Sequence, residues 1–522
     1  MKAIEADIVA PIATENPQNQ GRWLARCGIA RRVFGDPWIL AALACALVLR
    51  LYHLDTAALW LDETETAIVA MLSPDQMMQT ALHRVSFGRY DPRHLPLYFF
   101  IVNCWTQLVG FSPWLLRLPS VLFSLVTVAL TACIGQTLAG ERVARWAAWL
   151  AAISPFLLHH AQEARMYPLV AALSGASVLL LVRYLAGQAR GVGVAFVLVN
   201  AAMLATHYYT VFLVAGELLL LLSVRPQPYR NWAPAWLACA LSVVLLCYVA
   251  LFLTKQSSGE IYALGAFAMP GVGWSMLTGY TMLPSAEELH AAGMAAARPY
   301  MPYAIAGALP TLVVLGSGLR VLEPRARTLI AMLAGCVLLG PFLAHVVFAR
   351  ISVHPRYFTA AAPMFLIALA AGMPRFGAPW WRIGAAVVVL LLMITGSVRN
   401  LTSPGQQRED VAAAGAWLDR HVASDEEIFV TSDEMASLAF YHWPVRRITQ
   451  YPPRNIIAHK SNAEELARDL PIATRQRLIF IFGRSWLSDP EGKLEKAINS
   501  RYASCGGTEV RGIRIYCLLP HP

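Results

Sequence analysis

Charge is what this chain has least of. Only 14% of its 522 residues are Asp, Glu, Lys or Arg, where a soluble globular domain carries about a quarter. A conventional water-soluble fold is excluded, and the 57% hydrophobic content and mean hydropathy of +0.50 point to a membrane protein instead. The nine cysteines show no Cys-x-x-Cys spacing, so zinc-ribbon and dithiol redox motifs are absent. No basic surface interleaved with aromatics accompanies the net charge of +10, which removes nucleic acid as a partner. No cleavable signal is expected either. Met1 to Gly35 is polar, and Arg26, Arg31 and Arg32 precede the first apolar run, as in an uncleaved signal anchor with its N-terminus inside. Internal repeats and low-complexity tracts are also lacking.

Long apolar runs dominate what is present. A spanning helix needs about 20 apolar residues. Candidates are Trp38–Leu54, Leu118–Leu138, Val143–Leu158, Pro168–Leu185, Val192–Thr206, Tyr208–Val224, Ala233–Leu253, Pro302–Leu319, Thr328–Phe348, Tyr357–Gly372 and Trp381–Val398. That makes about eleven spans. Basic loops at 141–145, 183–190, 225–230, 320–327 and 374–382 all fall on the inside, as the positive-inside rule requires. This holds only if the N-terminus is inside and the apolar run His94–Gly110 does not cross. His94–Gly110 is therefore read as an interfacial or re-entrant helix.

The expected organisation is an N-terminal cytoplasmic segment (1–37), a multi-span domain (38–399) with external loops at 54–117 and 255–301, and an external tail (400–522). In the tail, Arg408–His421 and Ala463–Leu470 have helical spacing, and Glu427–Val430, Arg477–Gly483 and Arg514–Leu519 read as strands. The alternation predicts a small α/β domain. Cys505 and Cys517, both in this tail, are either a disulfide or two free thiols. Most other cysteines sit in apolar runs as small hydrophobes.

Polar residues on the predicted outer side are few and concentrated. The first external loop opens Leu59-Trp60-Leu61-Asp62-Glu63-Thr64-Glu65-Thr66, just before an amphipathic stretch from Ala67 to Leu82. That places a carboxylate at the membrane surface, where a lipid head group sits. The second loop packs His159, His160, Gln162, Glu163, Arg165 and Tyr167 between two spans, and charges at that level are costly unless paired, wetted or functional. His94, His207 and the segment His354-Pro355-Arg356-Tyr357 face the same side, as does Lys255. Cations there suit a phosphate, and Asp62 suits a general base.

The Trp60-Leu61-Asp62-Glu63 opening, the Gln162-Glu163-Ala164-Arg165-Met166-Tyr167 segment and the Arg356-Tyr357 start of a late span resemble the membrane glycosyltransferases of the GT-C type. The likeness is strongest to the glycosyltransferase 39 and protein mannosyltransferase-like bacterial families, and it covers the first span to the tenth. The resemblance implies an all-α polytopic membrane protein of GT-C type carrying an external α/β domain. It also implies an inverting transferase in the bacterial cytoplasmic (inner) membrane, moving a hexosyl or pentosyl group from a polyprenyl-phosphate donor. The acceptor would be a hydroxyl of a glycan, lipid or protein, reached at the outer face among membrane lipids. Asp62 becomes the catalytic base and Glu63 its supporting acid. Glu163, Arg165, Tyr167, His207, Lys255, His354, Arg356 and Tyr357 become substrate-binding residues. Some relatives hold a divalent metal ion; here His94 and His207 are the matching positions, although the first ligand of those relatives is acidic. The competing readings are a transporter or lipid-carrier flippase, which calls for charges or helix breaks near mid-span, and a structural or assembly protein.

Overall fold

The computed structural model describes residues 29–73, 75–76, 96–186, 190–223, 268–284, 288, 293–348, 354–402, 409–423, 426–431, 448–451, 458, 462–470, 477–483, 489 and 491–520. The expected span Ala233–Leu253 and the candidates His94 and Lys255 lie outside these residues. Five described helices are long and apolar enough to cross a membrane, and four shorter ones are apolar.

Helices α1 (Pro37–Leu51), α2 (Leu61–Ala70), α3 (Pro96–Val109), α4 (Pro113–Ala139), α5 (Glu141–Ala152), α6 (Pro155–Ala161) and α7 (Tyr167–Leu185) form the first half. Then come α8 (Arg190–Leu204), α9 (Val211–Ser223), α10 (Ala268–Thr278), α11 (Met301–Val321), α12 (Pro324–Phe348), α13 (Ala362–Gly372) and α14 (Trp380–Thr402). One cluster of Ala, Val, Leu and Ile from most of these helices fills the bundle interior. Apolar side chains such as Leu108, Leu198, Leu309 and Leu391 stand exposed on its outside, the pattern of a bundle whose solvent is hydrocarbon. Small residues let helices touch. A methyl group on Gly318 of α11 would collide with the Ala368 carbonyl of α13, and one on Gly372 with that of Val314.

One predicted span divides. Val143–Leu158 was expected as a single helix, but α5 ends at Ala152 and α6 begins at Pro155. Ser154 caps the new helix by accepting from Leu157 N at 3.3 Å. Proline at the first helical position suits that start, and in a continuous helix it would clash with the preceding turn. The break turns His159 and His160 toward the end of the bundle.

Helix ends sort into two groups. Arg145 Nε lies 2.7 Å from Asp36, the N-cap of α1, and Arg142 donates to the carbonyl of Met373, just past α13, at 2.7 Å. At the opposite end, Arg117 in the first turn of α4 donates to the carbonyls of Leu54 and Ala57 at 2.7 and 2.9 Å. The chain just past α1 and the first turn of α4 thus lie together. Helix α3 packs along α2, where Asn103 donates to the carbonyls of Val69, Ala70 and Leu72.

The tail is an α/β sandwich. Strands β1 (Ile428–Val430), β2 (Ile448–Gln450), β3 (Leu478–Gly483), β4 (Ala503–Val510) and β5 (Ile513–Leu519) lie in the order β2-β1-β3-β5-β4. The β2-β1 and β1-β3 pairs are parallel, and β3-β5 and β5-β4 are antiparallel. Helix α15 (Val411–His421) covers one face, while α16 (Ala463–Arg468) and α17 (Lys493–Arg501) cover the other. Cys505 and Cys517 are joined across β4 and β5, with Cα atoms 5.0 Å apart. Ala58, just before α2, packs against the first of these cores.

Candidate active site

Asp62 occupies the first turn of α2, where a carboxylate complements the positive helix end. Its neighbour Glu63 points the other way and is fully buried. Both Glu63 oxygens take 2.7 Å bonds from Arg117, and Oε1 also accepts from Ala164 N at 2.8 Å. Glu63 therefore ties α2 to α4 and to the second loop. The adjacent acids divide the labour: one is consumed in the scaffold and the other faces the cations.

Those cations come from two distant parts of the chain. Arg356 Nη1 donates to Asp62 Oδ2 at 2.8 Å. Arg165 Nη2 lies 3.8 Å from the same oxygen, while its Nη1 donates to the Asp62 main-chain carbonyl at 2.7 Å and lies 3.6 Å from Glu65 Oε2. The Asp62 and Arg356 side chains remain 15% and 23% exposed, whereas that of Arg165 is 1% exposed. Asp62 and Arg356 can thus still meet a ligand, and Arg165 is a fixed background charge. Burial disfavours the Arg356 cation, but Tyr167, Tyr357 and Asp62 outweigh it, so its pKa stands well above the usual value.

Aromatic rings wall this group. The Arg356 guanidinium lies 5.9 Å from the Tyr167 ring and 5.5 Å from that of Tyr357. His207 and Tyr357 have ring centroids 5.5 Å apart. His354 and His207 each cap a 3-10 turn: His354 Nδ1 accepts from Arg356 N, and His207 Nδ1 from Tyr209 N. Burial and the Arg356 charge hold the His354 imidazole well below its ordinary pKa.

Glu163, expected beside Arg165, turns toward His159 and His160, and it forms ion-pair contacts at 3.4 Å with each. Burial pulls His160 down to about 4 although Glu163 works the other way. These three residues could hold a metal ion, their candidate ligand atoms lying within 4.8 Å of one another. The expected metal position His207 is not one of them, and its Nδ1 is occupied by the turn it caps.

Asp62, Arg165, Tyr167, His207, His354, Arg356 and Tyr357 are therefore brought to one end of the bundle. Sequence reasoning missed Arg117, Glu65 and Tyr280, whose hydroxyl lies 3.1 Å from His160 Nε2. The signal for Arg117 was its single charge at the mouth of a long apolar run. Tyr280 offered no signal.

Solved structures share this architecture. ArnT from Cupriavidus metallidurans in the apo state aligns over 92% of this chain and 97% of its own, with a TM-score of 0.56 and 13% identity. The chain has the GT-C fold. Two further GT-C structures agree. ArnT bound to undecaprenyl phosphate has a TM-score of 0.52 at 13% identity, covering 92% of this chain and 98% of that one. The oligosaccharyltransferase AglB from Archaeoglobus fulgidus, in complex with an inhibitory peptide and a dolichol-phosphate, has a TM-score of 0.50 at 12% identity, covering 92% and 74%. No protein-family model and no curated protein sequence matches the chain. A GT-C fold accounts for both halves seen here, a helical membrane bundle and a small domain seated at the end that bears the site.

Proposed function

We propose that this GT-C protein is an inverting glycosyltransferase that moves a sugar from a polyprenyl-phosphate carrier to an acceptor hydroxyl. One observation carries the reading: the Asp62 carboxylate is held beside Arg356 and Arg165 at a bundle end. An acceptor hydroxyl gives its proton to Asp62 as its oxygen attacks the anomeric carbon. The bond from that carbon to the phosphate oxygen breaks, and the freed polyprenyl phosphate keeps the electron pair. Its negative charge is met by Arg356, with Arg165 behind it. Tyr167, Tyr357 and His207 supply ring faces, and exposed apolar helix surfaces suit the lipid tail. The undecaprenyl phosphate and dolichol-phosphate bound by the neighbours support a lipid-linked donor.

The site faces the non-cytosolic side of a bacterial inner membrane. The tail leaves α14 at the site end, where His159 Nδ1 lies 3.1 Å from Asn400 Oδ1. The tail carries a disulfide, which belongs in an oxidising compartment. Basic residues Arg142 and Arg145 gather at the opposite end, as cytosolic loops do. The transporter reading gains nothing from these neighbours, which are transferases.

The test uses purified protein in lipid nanodiscs, polyprenyl-phosphate pentoses and hexoses as donors, and envelope lipid and glycan fractions as acceptors. Transfer from one donor class with inversion at the anomeric carbon is expected. Absence of transfer from every donor, with the lipid carrier moved across the bilayer instead, would overturn the proposal.

A further inference from the structure

Asp36 and Glu141, at the end of the bundle away from Asp62, both pair with Arg145. Arg142, three residues earlier in α5, has a different fate. It donates to the carbonyls of Met373 at 2.7 Å and Ala371 at 3.2 Å, where α13 ends. Its guanidinium is thereby fixed beside the short link, residues 373–379, that joins α13 to α14. Arg375 stands exposed in that link, and Arg382 follows in the first turn of α14. Among the described residues no carboxylate pairs with Arg142, Arg375 or Arg382.

Three cations so placed repel one another. Burial and then the Arg375 and Arg382 charges hold the Arg142 pKa below its usual value. Arg382 is also set against its own helix, because the first turn is the positive end, where an anion is favoured and a cation is not. Its Nε is covered and meets no acceptor, an arrangement that costs free energy until an acceptor arrives. The group calls for an anion with several oxygens, such as a phosphate.

Aromatic rings say where that phosphate comes from. Phe376, Trp380 and Trp381 all stand exposed, Trp380 at 83%. The two tryptophans open α14, which is long and apolar enough to cross a membrane and whose other end, at Asn400, meets His159 of the second loop. Exposed tryptophan at the end of a span sits at the level of the lipid head groups. The arginines beside these rings therefore stand at the depth of lipid phosphates. A basic pocket between helix ends at this level is the kind that takes an anionic head group.

We propose that Arg142, Arg375 and Arg382 bind the phosphate of an anionic phospholipid, with Phe376, Trp380 and Trp381 against its glycerol and upper acyl chains. The lipid clamps the link between α13 and α14. This rests on the membrane reading of the bundle and not on the transfer reaction, because its test measures bound lipid and not turnover.

Full-length protein in detergent is mixed with phosphatidylglycerol or with phosphatidylcholine and read by native mass spectrometry, with thermal midpoints in parallel. Wild type should retain phosphatidylglycerol in preference to phosphatidylcholine, and only phosphatidylglycerol should raise its thermal midpoint. Arg375→Gln and Arg382→Gln should each weaken retention roughly five-fold while staying monodisperse on gel filtration. Arg327→Gln removes an equal charge from an exposed position in the first turn of α12, and it should retain the lipid as wild type does. Inorganic phosphate in excess should not displace the lipid. Equal retention of both lipids overturns the proposal. So does a loss in Arg327→Gln equal to that in Arg382→Gln, which would mean diffuse surface attraction. Displacement by inorganic phosphate overturns it too, since it would mean a site for free anions.

Discussion

Asp62 and Glu63 are chemically near-identical neighbours with opposite fates, decided by which way one turn of helix points them. Asp62→Asn keeps the shape and removes the base. Transfer should fall by roughly 10²–10⁴-fold with expression and melting temperature preserved, as timed product formation would show. Arg356→Lys keeps the charge but loses the planar fork and its stacking on Tyr167 and Tyr357. Its expected signature is weaker donor binding, read by titration with a polyprenyl phosphate, and a smaller loss than that of Arg356→Met. At this scale the sequence was informative wherever charge stood at a span end: Asp62, Arg165 and Arg356 were legible because charges are costly there. The distinct role of Glu63 was not legible, since its partner Arg117 lies 54 positions away and only the fold brings them together.

Elements are held by such long-range ties. Arg117 and Glu63 are both buried, with side-chain exposures of 1% and 0%. Arg117→Met would strand the Glu63 charge, and breaking one partner of a buried pair costs about 3–5 kcal/mol. A clear drop in thermal midpoint is expected in detergent, with partial recovery in the double variant that adds Glu63→Gln. The turn Pro355–Ala361 has a pH signature. His354 titrates below its unfolded value, so the unfolded chain binds more protons. Its contribution to stability is complete above the unfolded value of about 6.5 and is lost as pH falls below it. His354→Asn can still cap the turn, and its melting temperature should depend less on pH in that acid range. The Ser154-Pro155 break was written in the sequence as a serine cap with proline at the first helical position, yet the surrounding apolar run concealed it. Strand β4 was hidden for another reason. Its sequence, Ala-Ser-Cys-Gly-Gly-Thr-Glu-Val, belongs to an exposed sheet edge and lacks apolar alternation. Strand β2 has only three residues.

At the scale of the molecule, loop charge and span parity give an expected orientation, and among the described residues Arg142 and Arg145 join helix ends opposite the site. Cysteines placed at Thr56, beside the site, and at Arg145, at the far end, should react with a membrane-impermeant thiol reagent from opposite sides, Thr56 from outside intact cells. Equal reactivity from one side would contradict the assigned orientation. The division into bundle and tail was legible because hydropathy drops sharply after Arg399. The seating of the tail was not, because Ala58 gives no hint of its neighbours.

That seat carries a warning for anyone who would assign the tail its job by cutting it off. Ala58 is lodged at the tail core four residues ahead of Asp62, and Arg117 grips both the Ala58 carbonyl and Glu63. Excising the tail therefore unmoors the base itself, and a dead truncation would look like lost acceptor recognition even if the tail never touches an acceptor. Only a substitution on the far face of its sheet, leaving the berth of Ala58 intact, can tell a hand that holds the substrate from a hinge pin that holds the enzyme.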